Sequence, residues 1–327
     1  MSEQSLGGQT VGQLGEFALI DAIAARLAKS SNETVSVGIG DDSAVVSAKG
    51  GNVVACIDML TQGVHFRLDW SEAKDIGRKA AAQNLADIFA MGATPTALLV
   101  GLALPSDTPV SWVMGLADGL SEEASLVGVT VVGGDIVRGD SIAISVTALG
   151  ELGERAAILR SGAKPGDVLA LAGRLGFAQA GLLMLSRGFR SPRVLVGAHR
   201  VPEPPYELVR LATHATSMID ISDGLVSDLS HIAKASGVSI NIKTAEFDIP
   251  EPLAAAASAF NGDALEWILT GGEDHAFAAT SKPHLMSPLA GPSLVQLNRA
   301  MQQLPSMAKS IPAKAGITFQ ATKNPPS

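Results

Sequence analysis

A chain of 327 residues is longer than one hydrophobic core usually serves, so two domains are expected. Hydrophobic residues at 46% against 17% charged exclude a disordered chain, while a formal charge of −8 without clustered Lys and Arg argues against a nucleic-acid partner. An anionic ligand would then need metal cations between the protein carboxylates and its phosphate oxygens.

Phe17, Ile20, Ile23 and Leu27 recur at helical spacing and predict an amphipathic helix from near Gly15. Short β-rich runs at 35–39, 44–46 and 53–57, parted by Gly and Asp, predict adjacent strands. A long helix comes next over 73–91, stopped by Gly92, then a strand at 96–104, a helix at 112–126 and strands at 129–132 and 142–149. Gly153, Gly162, Pro165 and Gly166 punctuate a linker. Beyond it the pattern predicts strand 168–172, helices 178–186 and 206–214, strand 216–219, helix 225–235 and strand 238–242. Pro283, Pro288, Pro292, Pro305, Pro312, Pro325 and Pro326 interrupt any long regular element in the remainder of the chain. The expected class is α/β (α+β), with domains at 1–150 and 151–280 and a poorly ordered tail at 281–327.

Cys56 is the single cysteine, which excludes intramolecular disulfides and multi-thiolate zinc sites. Met1-Ser2-Glu3-Gln4 does not open a secretory signal, and no apolar run approaches the roughly 20 residues of a bilayer span. A cytoplasmic protein with no membrane partner is expected.

Carboxylates recur beside glycines and at strand ends. Asp41 and Asp42 share a glycine-flanked turn, which alone is more often a solvated turn but would suit a hard cation. Asp58 ends the run 53–57, and His65 comes after a loop containing Gly63. Ala80, Asn84, Asp87 and Met91 share one helix face, so Asp87 is either buried against a cation or paired with Arg78 or Lys79. Val131-Val132-Gly133-Gly134-Asp135 reads as a buried strand running into two glycines, whose amides suit phosphate oxygens. Ile219-Asp220-Ile221-Ser222-Asp223-Gly224 leads a strand into a helix, where Ser222 or Asp223 serves a ligand or caps the helix. Thr270-Gly271-Gly272-Glu273-Asp274-His275 is a further double-glycine turn, and Arg160 with Lys164 supplies cations in a glycine-containing loop. Neither a GxxxxGK[ST] phosphate loop nor a kinase-type glycine loop with an HRD segment occurs, and HExxH and GxSxG are absent as well.

Taken in order, GEFALID at 15–21, GIGDDSAVV at 38–46, NLADIFAMGA at 84–93, VVGGD at 131–135, RSGAKPGD at 160–167, IDISDGLVSDLSHIAKASG from Ile219 and TGGEDH from Thr270 resemble the thiamine-monophosphate kinase family. The resemblance spans about 12–280 and implies the two-domain fold shared with aminoimidazole ribonucleotide synthetase, its N-terminal sheets pairing in a homodimer. It implies direct in-line transfer of the ATP γ-phosphoryl to thiamine monophosphate, giving thiamine diphosphate and ADP, with several Mg2+ ions. On it, Asp42, Asp58, Asp87, Asp135, Asp220 and Asp223 match magnesium ligands. Gly134, Asp135, Arg160, Ser222 and, more distantly, Asp118 match ATP contacts, while His65 and Glu273 match the substrate side. Two departures stand out: Cys56-Ile57 replaces small hydroxyl residues, and no Trp or Tyr occurs after Trp267. The alternatives are a catalytically weak nucleotide- and metal-binding homologue, or a related enzyme with another phosphate acceptor.

Overall fold

The computed structural model describes residues 8–27, 33–37, 45–209, 212, 214–282 and 317–318. Its contacts divide the chain into two compact units, 1–89 with 93–155, and 90–92 with 156–327.

The first unit opens with helices α1 (Val11–Leu14) and α2 (Glu16–Leu27), then the paired strands β1 (Val35–Val37) and β2 (Val45–Val46). Its main sheet takes β3 (Val53–Thr61), β4 (Thr94–Leu104), β5 (Val131–Arg138) and β6 (Ala143–Glu151) in the order β3-β6-β4-β5. β6 runs antiparallel to both neighbours, and β4 pairs with β5 in parallel. Helices α3 (Ala73–Ala90) and α4 (Val110–Ser125) lie between the strands, and α4 makes the crossover that the parallel pair requires. The two helices cross closely because Gly77 lies against the Leu116 carbonyl and Gly119 against the Lys74 carbonyl, leaving no room for a Cβ. Gly92, at φ +72°, stops α3 as the sequence predicts.

Alternation sorts the sheet into two sides. Leu60, Val100, Leu102, Leu104, Ile144 and Val146 are buried, whereas Val53, Ile57 and Met59 of β3 are 57%, 61% and 56% exposed. One expectation is corrected here: β5 does not end at Gly133-Gly134 but continues through both glycines and Asp135 to Arg138. A Cβ at Gly134 would strike the Val100 carbonyl, so the glycine lets the two strands lie close and does not break the ladder.

The second unit carries a 3-10 turn at Arg160–Gly162, then β7 (Val168–Ala172), α5 (Phe177–Ser186), α6 (Arg193–Arg200), α7 (Tyr206–Val209), β8 (Ser217–Ile221), α8 (Leu225–Ser236), α9 (Glu251–Phe260), α10 (Ala264–Thr270), β9 (Ala276–Ser281) and β10 (Ile317–Thr318). The sheet order is β10-β7-β9-β8 and every pairing is antiparallel. Its core joins Leu169, Ile219, Ile221, Ala276 and Ala278 of the sheet to Leu225, Leu229 and Ile232 of α8.

The expected strand at 238–242 is absent. Val238, Ile240 and Ile242 pack on the core, yet the segment pairs with no strand, so their alternation reflects burial alone. The helix predicted over 206–214 is a single turn at Tyr206–Val209. Elements α6, α9, α10 and β9 lie where the sequence pattern predicts none. The apolar side of α9 is mostly alanine, and β9 is buried on both faces, so neither shows strong periodic contrast. Apart from Ile317–Thr318 and residues 281–282, the predicted tail lies outside the described residues.

Candidate active site

In the first unit the sheet and α3 bring Asp58 and Asp87 together around Cys56. Asp58 projects from the side of β3 that faces the helix, and Asp87 sits on α3 one turn beyond Asn84. Burial, then the charges of Asp87 and Asp58, pushes the Cys56 thiol far above its ordinary range, so it stays protonated. The thiol donates to the Asn84 carbonyl at 3.3 Å, and the Asp58 amide donates to Asn84 Oδ1 at 3.0 Å. Arg78, weighed as an alternative partner of Asp87, instead reaches Glu123 and Glu122.

His65 stands close by in sequence but is held by other bonds. Its Nδ1 accepts from the Thr61 amide at 3.0 Å, so the neutral ring carries its proton on Nε2. Its carbonyl accepts from Lys79 Nζ at 3.1 Å, and that lysine is only 2% exposed.

Asp135 does not join Asp58 and Asp87 on the sheet. The ladder links Met59 to Ser145, Gly101 and Asp135 across the whole sheet, three strand spacings or about 14 Å. Asp135 therefore lies at the far edge, on the pleat side of Met59 and not of Asp58. Its Oδ1 accepts from the Ile136 amide at 2.9 Å. Gly134 and Asp135 also line an apolar pocket with Ile20, Ile23 and Leu27 of α2 and Leu116 and Leu120 of α4. Asp118 of α4 forms a two-pronged ion pair with Arg26 of α2. Asp42 lies outside the described residues.

The second unit gathers a larger acidic group. Asp220 is 4% exposed on β8 and meets His275 Nδ1 at 3.1 Å. Asp228 Oδ2 accepts from the Asp223 amide at 3.1 Å. Burial, together with the charges of Asp220 and Asp223, pushes the Asp228 carboxyl up to about 6 against the pull of that amide. The capping alternative for Ser222 and Asp223 falls away, because Gly224 is the N-cap of α8 and no side chain caps it. The amides of Glu273 and His275 donate to the carbonyls of Ser222 at 2.7 Å and Ile221 at 2.9 Å, which extends the β8–β9 pairing into the turn. Glu273 and His275 take positive φ, +66° and +47°, which is costly for residues with a Cβ. Arg160 is exposed on the 3-10 turn, where its carbonyl accepts from Ser236 Oγ at 2.8 Å.

Asn84, Asp228 and His275 are structural partners to which the sequence patterns attach no role, and Lys79, weighed as a partner of Asp87, donates to the His65 carbonyl. Asp228 and His275 each lie within a motif already singled out. The tie between Asn84 and Asp58 spans 26 residues and leaves no local signature.

Among the described residues no group of three or more His, Cys, Asp or Glu side chains is arranged to hold a metal by itself. The donors still suit magnesium, which takes one or two carboxylates and fills its remaining positions with water and phosphate oxygens. Asp58 with Asp87, and Asp220 near Asp223, are pairs of that kind.

Two domain descriptions match this architecture: AIR synthase related protein, N-terminal domain, over residues 40–152, and the corresponding C-terminal domain over 164–303. The chain thus has the two-domain AIR synthase-related fold. It is 49% identical over 275 residues to the thiamine-monophosphate kinase of Mycobacterium tuberculosis, covering 83% of this chain and 81% of that one. The crystal structure of thiamine-monophosphate kinase from Stenotrophomonas maltophilia K279a superposes with a TM-score of 0.79 at 29% identity, covering 94% of both chains. AaThiL complexed with AMPPCP and TMP gives a TM-score of 0.72 at 30% identity, covering 94% of this chain and 91% of that one. The chain belongs to the thiamine-monophosphate kinase family.

Proposed function

We propose that this protein transfers the γ-phosphoryl group of ATP to thiamine monophosphate, giving thiamine diphosphate and ADP. The observation that carries the reading is the convergence of Asp58 and Asp87 from β3 and α3, in a chain 49% identical to a thiamine-monophosphate kinase. An anionic phosphate must approach an anionic γ-phosphoryl group, and an acidic protein cannot hold the two together without cations. When bound, magnesium neutralises charge on both phosphates and on the in-line transition state. Asp58 with Asp87 is the pair assigned to hold one ion and Asp220 with Asp223 the pair assigned to another, with Asp42 as a further ligand and Asp135, at the far edge of the sheet, assigned to a separate ion. Gly134, Ser222, Arg160 and Asp118 are assigned to ATP, and His65 and Glu273 to the thiamine side. For His65 the Nε2–H is the group left to donate, since the Thr61 amide occupies Nδ1.

Two wider assignments accompany this reading. Apolar Val53, Ile57 and Met59 on the open side of β3 support a homodimer formed through that face. No described helix is long and apolar enough to cross a membrane, and use of ATP goes with a cytoplasmic location.

ADP release should depend on both thiamine monophosphate and Mg2+, and Asp87→Asn should lower kcat by about 100-fold or more with an unaltered circular dichroism spectrum. Near-normal turnover of the variant at limiting Mg2+ would defeat the assignment. The absence of Trp and Tyr after Trp267 favours a second reading, a different phosphate acceptor. A panel of phosphate acceptors with ATP separates the two, because only the second predicts turnover on another phosphate in place of thiamine monophosphate.

A further inference from the structure

We infer that Asn84 is a positioning residue that sets the Asp58 and Asp87 carboxylates at the spacing a shared cation requires; this rests on the magnesium assignment above. Asn84 lies in the middle of the 18-residue helix α3 and is 0% exposed. Asparagine is a poor choice there, because its amide competes with the helix backbone and its burial must be matched by hydrogen bonds. On the same face, one turn to either side, the buried Ala80 and Ile88 are apolar, although Lys79 and Gln83 are also buried on this helix. An apolar residue at 84 would be the ordinary way to fill this face.

The bonds show what the amide does. Nδ2 donates to the Ala80 carbonyl one turn back, at 2.9 Å, which fixes the side-chain rotamer. That orientation turns Oδ1 toward β3, where it accepts from the Asp58 amide at 3.0 Å. β3 is an edge strand, so part of its backbone has no neighbouring strand to pair with, and Asn84 supplies a partner at the residue that bears a carboxylate. The Cys56 thiol adds a second tie, donating to the Asn84 carbonyl at 3.3 Å. Helix and strand are thus pinned at 84, one turn before Asp87 on the same face. Sliding or rotating α3 would break both ties and move Asp87 relative to Asp58. A residue that orients a metal-holding carboxylate without touching the ion typically affects affinity about 10- to 100-fold.

The test uses the full-length chain and Mn2+ as a paramagnetic probe, with free Mn2+ monitored by electron paramagnetic resonance. Asn84→Ala is expected to weaken Mn2+ binding about 10- to 100-fold, approaching Asp87→Asn, at a temperature where circular dichroism shows it folded. Its turnover should recover at high Mg2+ with KM for thiamine monophosphate unchanged. Should alanine prevent folding, Asn84→Ser keeps a hydroxyl near the strand and should give a smaller shift in the same direction. A variant that melts earlier but binds Mn2+ like the parent overturns the inference and leaves Asn84 a structural pin only. If the parent takes up Mn2+ in a manner that depends on Asp87 and Asn84 yet releases no ADP, the kinase reading fails while the positioning role stands.

Discussion

Asp274 shows how one buried carboxyl reports on its surroundings. It accepts from the Gly176 and Ala178 amides at 2.5 and 2.8 Å, tying the turn before β9 to the start of α5. Burial nevertheless outweighs those two bonds and pushes the carboxyl from 3.8 up to about 7. The folded chain therefore holds this proton between about pH 4 and 7, where the unfolded chain has released it, and stability from this group falls as pH rises through that window. Asp274→Asn stays neutral and should flatten this slope in urea titrations at several pH values; an unaltered slope would trace it to other groups. The candidate residues themselves are readable from local motifs, since glycine-flanked carboxylates announce themselves over a few positions. Their grouping is not. Asp58 with Asp87 depends on β3 packing against α3, and the separation of Asp135 from both depends on a strand order that no local pattern encodes.

Glycine governs the elements as much as the site. In α4, Gly119→Ala should gain about 1 kcal/mol of helix propensity, yet its Cβ would fall on the Lys74 carbonyl of α3. Backbone cannot yield as a flexible side chain can, and overpacking of this kind costs about 1–3 kcal/mol or more. The collision should win, so the variant is expected to lose stability in urea denaturation; a gain would mean that the two helices can part freely. Helix α4 and strands β4 and β6 are legible in the sequence from their apolar patterns and α3 from its length and the Gly92 stop, whereas β3 runs on past the predicted 53–57 to Thr61 and so puts Asp58 inside the strand and not at its end. The full length of β5 is hidden because two consecutive glycines resemble a turn, whereas their function is close strand approach against Val100. Val238, Ile240 and Ile242 mislead in the opposite sense, since alternation without a hydrogen-bonding neighbour does not make a strand.

For the molecule as a whole, the open side of β3 bears most directly on assembly. Ile57 is 61% exposed between Val53 and Met59. On the proposed homodimer, Ile57→Lys is expected to give a monomer by light scattering where the parent scatters as a dimer; a parent that is itself monomeric, or an unchanged dimer mass, would count against an interface on this face. The two-domain architecture is legible from length and motif order, because each motif set needs its own sheet to present it. The turn at Glu273 and His275 has a consequence for how such a protein changes over generations. Both residues hold left-handed backbone that glycine would adopt without strain, at a gain on the order of 1 kcal/mol each. A laboratory selection for heat resistance alone should therefore drift toward glycine at 273, whereas selection for growth that depends on the enzyme making its product should keep the glutamate. Comparing the two evolved populations at this position would show whether the strain is maintained for what the carboxylate does.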